Sequence, residues 1–162
     1  MNIYMNQYLS PVGSLTLVSD GTSITGLSFS DKLPDYATVS LPVFSQTLKW
    51  LDDYFAAKHP DPTQIPLAAH GTPFQEEVWY LLRQIPYGQS VTYGHLAGMI
   101  AKKRGIEKMS AQAVGQAVSA NPIAIIIPCH RVLAAKNRIG GYAYGMNIKK
   151  TLLELENIDC IK

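Results

Sequence analysis

The stretch IAIIIPCHRVL, residues 123–133, restricts the fold and the chemistry of this chain more than any other. Its first five residues are apolar and predict a buried core strand. We expect that strand to end at Pro128, because proline lacks the N–H that a central strand donates. Cys129, His130 and Arg131 follow directly, and a turn after the strand would bring the thiol and the imidazole into one pocket.

The pair formed by Cys129 and His130 has two interpretations. A lone buried cysteine is usually inert packing. A neighbouring base or positive charge would instead favour the thiolate, which is the form that attacks an electrophile. His130 would then need an acceptor to orient it, and the C-terminal segment NIKKTLLELE offers Glu154 and Glu156. The pair alone leaves the reaction open, since a hydrolase would form a thioester that turns over, whereas an alkyl acceptor would form a stable thioether.

The composition is typical of a soluble globular protein. Of 162 residues, 47% are hydrophobic and 16% are charged, which suits one domain or two small lobes that share a core. No apolar run has the length of a membrane span, and the N-terminus lacks the pattern of a signal peptide. We therefore expect a cytoplasmic protein, or a nuclear one in a eukaryote, with no membrane partner.

The cysteines, histidines and charges argue against a metal site and for a polyanionic partner. Cys129 and Cys160 should both be free thiols in a reducing compartment, and four scattered histidines lack the spacing of a zinc site. Residues 1–70 carry three Lys or Arg and six Asp or Glu, whereas 71–162 carry eleven and six. This basic C-terminal half modestly favours nucleic acid as a partner.

The first third of the chain is predicted to form a β-rich lobe. Short alternating segments between turn residues predict three strands, at 4–8, 14–19 and 24–29. Apolar residues at helical spacing predict a helix over 44–58. The stretch HPDPTQIPLAAHG follows, and its three prolines mark a boundary between an N-terminal lobe, 1–68, and a C-terminal lobe, 69–162.

The C-terminal lobe is predicted to be mostly helical. Capping side chains mark the starts of three helices: Thr72 before Pro73, Thr92 before 93–101, and Ser110 before 111–120. The second and third helices, joined by the basic connector AKKRGIEKM ahead of the apolar run, indicate a helix-turn-helix. Small residues dominate the third helix, AQAVGQAVSA, which suits either tight helix packing or entry into a nucleic-acid groove.

The segment PCHRV, 128–132, resembles the active-site motif of the O6-alkylguanine-DNA alkyltransferases, the methylated-DNA–protein-cysteine methyltransferases. Further segments resemble the family in the same order: GTPFQEEVW (71–79), IPYGQSVTYGHLA (85–97), AVGQAVSANPIAIIIPCHRV (113–132), GGYAYG (140–145) and KKTLLELE (149–156). The resemblance implies an α/β fold of the α+β kind, with a ribonuclease H-like N-terminal lobe. It implies a C-terminal lobe that carries the helix-turn-helix and an active-site strand.

The resemblance also implies the reaction, which is direct, single-turnover and irreversible repair of DNA. Cys129 takes the methyl or other alkyl group from O6 of a guanine flipped out through the minor groove, because O6 is out of reach inside the duplex. His130 acts as the base through a water, and Glu156, rather than Glu154, orients His130. Tyr93 rotates the DNA phosphate and donates to guanine N3.

The pocket around the flipped base is implied in the same way. The backbone carbonyls of Cys129 and Val132 accept hydrogen bonds from the guanine 2-amino group. The backbone N–H of Ala143 donates to O6, and Tyr142 forms a wall. Asn121 ties the helix-turn-helix to the active-site strand.

The recognition helix of the family lies in the minor groove, so Ala113, Gly115 and Ser119 are expected to face DNA. Gln112 stands where the family usually has an arginine finger, which fills the gap left by the flipped base. Glutamine can hydrogen-bond the orphaned cytosine but carries no charge. We expect flipping to be retained, with weaker affinity.

Two further positions depart from the usual family pattern. The connector is several residues longer, and its Lys102, Lys103 and Arg104 would offset a weaker finger by contacting phosphate, unless they form only a solvated loop. Tyr144 stands where many members have glycine. Its side chain should narrow the pocket, so that methyl fits and a benzyl-sized group does not.

The expected partner is double-stranded DNA that contains O6-alkylguanine, and the protein is expected to be a monomer. No cofactor is implied, since the substrate carries its own electrophile, and no cysteine precedes Cys129 to hold a structural zinc. Three alternatives were compared with this interpretation. A non-catalytic lesion-binding relative typically lacks the cysteine, a helix-turn-helix regulator would explain only 90–121, and a cysteine hydrolase normally has its histidine far away in sequence.

Overall fold

The computed structural model describes residues 2–30 and 38–161. It divides into two compact units, Met1–His70 with Pro122–Ile126, and Gly71–Asn121 with Ile127–Lys162. The predicted lobes, 1–68 and 69–162, follow chain order. The units depart from that division in two places: residues 69–70 belong to the first unit, and the chain returns to the first unit over Pro122–Ile126.

A three-stranded antiparallel sheet opens the first unit. The strands are those predicted from the alternating pattern: β1 (Tyr4–Ser10), β2 (Gly13–Ser19) and β3 (Ile24–Phe29), paired in that order. Leu15 and Leu17 of β2 lie two residues apart and point to the same face. Both are fully buried, as is Leu27 of β3, which is paired with Leu17. This face of the sheet therefore belongs to the core.

Helix α1 (Pro42–Phe55) follows the sheet in the first unit and buries Phe44 and Leu51. It begins two residues before the predicted start, with proline at its first position, where no N–H is needed. It ends three residues before the predicted end. The reason is that Ala57 and His59 adopt left-handed φ values of 58° and 52°, which an α-helix does not tolerate.

The apolar run at 123–127 is not a strand, and the predicted active-site strand is therefore wrong. Ile123 forms an isolated bridge to Leu27, and the residues that follow form turns. Ile125 has φ +69° and is the centre of a γ-turn, closed by a 2.8 Å hydrogen bond from the Ile126 N–H to the carbonyl two residues earlier. The run is buried, but an apolar pattern alone does not distinguish buried strand from buried turn.

The second unit holds the remaining helices and a two-stranded parallel ladder. Its elements are α2 (Pro73–Leu82), β4 (Val91–Thr92), α3 (Tyr93–Arg104), α4 (Ala111–Ser119), β5 (Val132–Leu133) and α5 (Met146–Leu155). The predicted caps are confirmed: the hydroxyl oxygens of Thr72, Thr92 and Ser110 accept from the N–H groups three residues later. A short strand does lie at the motif, but it is β5, which begins at Val132, the last residue of the motif.

Helix α3 runs three residues past its predicted end and takes in the first part of the basic connector. Gly105, at φ +67°, ends it in the left-handed conformation that glycine adopts without strain. The added turn is anchored to α2, since Arg104 lies 2.5 Å from a carboxylate oxygen of Glu77 and its guanidinium covers the ring of Phe74. Three basic residues in this last turn also complement the helix dipole.

The small residues of α4 serve packing only in part. Ala117 is buried, and its carbonyl accepts a 2.8 Å hydrogen bond from the indole N–H of Trp79 in α2. Ala111, Ser119 and Ala120 are exposed. Tight helix packing thus accounts for Ala117 and leaves a face of small side chains in solvent.

In the described parts of the chain, 2–30 and 38–161, no helix combines the length and apolar character needed to cross a membrane.

Removing the cap of α4 should destabilise the protein. Ser110 accepts from the Ala113 N–H at 3.2 Å, so Ser110→Ala leaves that donor without its partner and should lower the free energy of unfolding by about 1 kcal/mol. Urea denaturation measures the change. Ser45→Ala, at an exposed position inside α1, is the control and should leave stability within about 0.5 kcal/mol of the wild type. Equal losses in the two variants would contradict the capping role.

Candidate active site

Cys129 begins a single 3-10 turn, Cys129–Arg131, that follows a tight bend at Pro128. Pro128 has φ −82° and ψ 66°, and the Cys129 N–H donates to the Ile127 carbonyl at 2.8 Å. This is the geometry of an inverse γ-turn. The position of Cys129 is therefore set by two tight turns, at Ile125 and at Pro128, and not by the end of a strand.

The thiol of Cys129 is buried, with 6% of the residue exposed. Burial raises the pKa of this thiol above its usual value, and the Asn121 amide, the Lys149 ammonium and the Tyr142 hydroxyl lower it in part. The net pKa shift is upward, so the resting group is the neutral thiol. A base must remove its proton before it can act as a nucleophile.

His130 and Glu156 form a buried pair, and the orienting role of Glu156 stays a prediction. Nε2 of His130 lies 2.5 Å from Oε2 of Glu156, at the C-terminal end of α5. Glu154, the other candidate, is exposed and lies 4.0 Å from Lys150 on the helix surface. Sequence reasoning missed a third member, because Arg131 Nε donates to Glu156 Oε1 at 2.7 Å.

The protonation states of the pair follow from its surroundings. Burial raises the pKa of the Glu156 carboxyl, but hydrogen bonding and charge from His130 and Arg131 outweigh burial and hold this pKa at about 2. Burial lowers the pKa of His130. At neutral pH Glu156 is therefore ionised and His130 is neutral. An ionised carboxylate only accepts, so the imidazole proton lies on Nε2 and the lone pair on Nδ1 is turned away from Glu156.

Asn121 connects the C-terminal end of α4 to the turn that carries Cys129. Its side chain is buried, and Nδ2 donates to the Ile127 carbonyl at 2.8 Å. The same side chain hydrogen-bonds the Cys129 thiol. One amide therefore joins the end of α4 to the cysteine, at the residue for which the family resemblance implies such a tie.

Lys149 is the second residue that sequence reasoning missed. It is fully buried, and its Nζ donates to the Val132 carbonyl at 2.7 Å and to the Gly141 carbonyl at 2.9 Å. Burial lowers the pKa of Lys149 to about 8. A signal was present in the sequence, because Lys149 shares the core face of α5 with Leu152, Leu153 and Glu156 at helical spacing.

The pocket beside the thiol is small. It is lined by Tyr93, Val118, Ser119, Cys129, Gly141, Tyr142 and Ala143. Its free volume is about 10 Å³, enough for about one water molecule. Tyr144 does not line this space but packs edge-on against the Tyr142 ring, with centroids 5.6 Å apart. This space is too small for a nucleobase, so a base would enter only if the lining of the pocket moved.

The two carbonyls predicted to bind the guanine amino group already hold protein donors. The Cys129 carbonyl accepts from the Val132 N–H, and the Val132 carbonyl accepts from Lys149. A carbonyl oxygen has two lone pairs, so each can accept once more. Tyr93 also lines the pocket, and burial raises the pKa of its phenol, which therefore remains a hydrogen-bond donor at neutral pH.

An open groove lies next to the pocket and shares Tyr93, Ser119 and Gly141 with it. Its lining residues are Tyr93, Ala111, Gln112, Gly115, Gln116, Ser119 and Gly141. Gln112 is exposed in this groove, and Gln116 stands one helical turn further along. Sequence reasoning had not singled out Gln116.

Several other residues predicted to contact DNA do not line this groove. Lys102, Lys103 and Arg104 lie at the end of α3 and do not line the groove. Arg104 is occupied by Glu77, as described above. Ala113 is half-buried and is likewise outside the groove lining.

Two family profiles together match most of the chain. The profile described as "6-O-methylguanine DNA methyltransferase, DNA binding domain" matches residues 73–158. The profile described as "6-O-methylguanine DNA methyltransferase, ribonuclease-like domain" matches residues 3–69.

Individual proteins and solved structures are also similar to this chain over most of their length. A methylated-DNA–protein-cysteine methyltransferase of Haemophilus influenzae is 40% identical over 98% of this chain and 89% of its own. One of Methanosarcina acetivorans is 39% identical over 95% of this chain and 98% of its own. The crystal structure of Mycobacterium tuberculosis OGT in complex with DNA has a TM-score of 0.79 at 38% identity and covers 94% of this chain and 92% of that one.

Replacing the buried lysine should weaken both the fold and the thiol acidity. In Lys149→Met the Val132 and Gly141 carbonyls lose a charged donor, so the free energy of unfolding should fall by about 2 kcal/mol. The pKa of Cys129 should rise, because the nearby positive charge is gone. The rate of Cys129 modification by a small thiol reagent, followed by peptide mass spectrometry against pH, should therefore shift to higher pH.

Lys150→Met is the matched control for that variant. Lys150 is the next residue of α5, but its side chain is 40% exposed and lies 4.0 Å from Glu154 at the surface. It should change neither the unfolding free energy by more than about 0.5 kcal/mol nor the pH profile of Cys129. If Lys149→Met behaves like this control, the buried ammonium does not stabilise the site.

Proposed function

The chain belongs to the 6-O-methylguanine DNA methyltransferase family, and from this we propose that Cys129 removes the methyl group of O6-methylguanine from double-stranded DNA. The protein is an enzyme of the methylated-DNA–protein-cysteine methyltransferase type, it binds DNA, and it repairs alkylated DNA directly. The proposal concerns the residues that do this, the O6-alkylguanine specificity, and action as a monomer.

The observation that carries the proposal is a buried cysteine followed directly in the chain by a buried histidine, whose Nε2 lies 2.5 Å from the Glu156 carboxylate. His130 takes the thiol proton through a water, on the ring nitrogen that faces away from Glu156. The Cys129 sulfur then attacks the methyl carbon, the S–C bond forms, and the C–O6 bond breaks. The bonding electrons move onto the guanine, where the Tyr93 phenol donates a hydrogen bond at N3. The product is a thioether, so each molecule reacts once.

Burial of the thiol fits this reaction better than hydrolysis. A buried sulfur reaches only a group that enters the pocket, and a guanine enters only after it has left the duplex stack. The wall formed by 141–143 would open to admit it, with Tyr142 against the base and the Ala143 N–H toward O6. Tyr93 and Ser119 line both the pocket and the groove, which gives a flipped base a continuous path.

The groove beside α4 is proposed as the DNA-binding surface. Its exposed small side chains permit close approach to the minor groove, and Gln112 fills the space left by the flipped base. Lys102 and Lys103 are exposed at the end of α3 and are proposed to contact phosphate. Arg104 is a weaker candidate, since contact with DNA would have to compete with its pairing to Glu77.

Mass spectrometry of the intact protein tests the methyl transfer. After incubation with duplex DNA that contains O6-methylguanine, the wild type should gain the mass of one methyl group, and Cys129→Ser should gain none. Cys160→Ser is the matched control and should still gain one. Retained DNA binding without a mass increase would instead indicate a lesion-binding protein, and repeated turnover on an ester would indicate a hydrolase.

Alkyl-group size is the second test, and it addresses Tyr144. Because Tyr144 packs against the Tyr142 wall, it should hinder the outward movement that a benzyl group needs. Free O6-benzylguanine should inactivate the wild type at least about tenfold more slowly than Tyr144→Gly does, a factor that corresponds to about 1.4 kcal/mol in the barrier. Transfer from methylated DNA should differ less between the two. Equal inactivation of both proteins by the benzyl compound would contradict this role.

A further inference from the structure

Arg131 has no role in the chemistry described so far, yet it is one of the most tightly held side chains of the site. Its side chain is 8% exposed, Nε donates to Glu156 Oε1 at 2.7 Å, and Nη1 donates to the Ile85 carbonyl at 2.7 Å. The guanidinium also lies over the ring of Tyr87, 5.7 Å from its centroid. Tyr87 in turn donates to the Leu155 carbonyl at 3.2 Å.

The two oxygens of the Glu156 carboxylate bind different partners. Oε1 accepts from Arg131 and from the Gly88 N–H at 3.1 Å, whereas Oε2 faces His130. The carboxylate therefore cannot rotate to offer both oxygens to the imidazole. The hydrogen bond to His130 is directed to one oxygen in one orientation.

We propose that Arg131 is a positioning residue for methyl transfer, which keeps His130 a neutral base with its proton on Nε2 by binding and neutralising the far side of Glu156. This inference rests on the proposed function, in which His130 takes the proton of Cys129. Arg131 touches neither the substrate nor the sulfur, and it acts through Glu156.

The charge balance of the buried cluster gives the direction of the effect. The charged groups that face His130 are Glu156, Arg131 and Lys149. Glu156 favours a protonated imidazole, and the two cations oppose it. Without Arg131, the buried carboxylate would have less compensation, and the pair would take up a proton at a higher pH. A protonated His130 cannot accept the proton of Cys129.

A purely structural role for Arg131 predicts a different result. A buried ion pair that only holds loop 85–88 to α5 would, when broken, lower stability and activity by the same factor at every pH. The titration of His130 would not move in a protein that still folds. The dependence on pH thus separates positioning from simple support.

The experiment compares Arg131→Met, Arg131→Lys and the control Arg138→Met, whose side chain is exposed. Single-turnover methyl transfer from duplex DNA with O6-methylguanine is measured from about pH 4 to about pH 9, because the wild-type His130 pKa lies below its usual value of about 6.5. Nitrogen-15 chemical shifts of the labelled imidazole report the protonation state and tautomer of His130 independently of transfer. Binding of unmethylated DNA reports whether each variant is folded.

In Arg131→Met, the pH of half-maximal rate and the His130 pKa should both rise by at least about one unit, which is about a tenfold loss of rate below that pH. Arg131→Lys keeps the charge and should shift less, and Arg138→Met should not shift. An unchanged His130 pKa in Arg131→Met, or a loss of rate that is the same at every pH, would overturn the proposal.

Two further outcomes are informative if Arg131→Met does not fold. A wild-type imidazole with its proton on Nδ1 would overturn the proposal. So would an Arg131→Lys variant in which His130 no longer carries its proton on Nε2 while methyl transfer keeps the wild-type pH dependence, because the tautomer would then not matter to the reaction. If the wild type transfers no methyl group, the proposed function fails, while the His130 titration still decides whether Arg131 sets its protonation.

Discussion

The ionised carboxylate of Glu156 is the group on which the geometry of the site depends. A buried charge is costly unless its acceptor positions are filled, and here three donors come from two separate segments: the backbone after α2 at Gly88, and the turn after Pro128, which supplies both Arg131 and the imidazole of His130. Because Glu156 also ends α5, that helix cannot move relative to the turn without exposing or orphaning the charge. The hydrogen bonds that satisfy the Glu156 carboxylate therefore also fix the turn that carries the Cys129 thiol.

A second constraint joins the groove to the pocket. The Asn121 amide follows directly after α4 and bonds both the Ile127 carbonyl and the Cys129 thiol. Tyr93, at the start of α3, lines both spaces. A single side chain, that of Asn121, thus connects the end of the helix that would meet DNA with the sulfur that would react.

Local chemistry allowed much of this to be predicted from the sequence. Capping hydroxyls at Thr72, Thr92 and Ser110 act within three residues, so their helices begin where expected. The apolar run before Pro128 was wrongly predicted to be a strand. An apolar pattern indicates burial, but it does not reveal a backbone turn such as the one that the left-handed φ of Ile125 produces.

The site itself was predictable only in part, for a related reason. Cys129, His130 and Glu156 came from a motif, whereas Arg131 and Lys149 act through contacts with residues up to 46 positions away, which no local pattern encodes. Lys149 carried one signal, its place on the apolar face of α5, and Arg131 carried another, its position within an otherwise buried run. A basic residue among buried neighbours indicates an interior partner, even when that partner cannot be named.

The small pocket beside Cys129 has a consequence for how long each molecule stays useful. A protein that can react only once is consumed by any electrophile or oxidant that reaches its sulfur. A neutral thiol behind about 10 Å³ of free space presents little thiolate and little access to peroxide or glutathione disulfide. The same burial therefore protects a thiol that can react only once against reagents that do not fit the pocket.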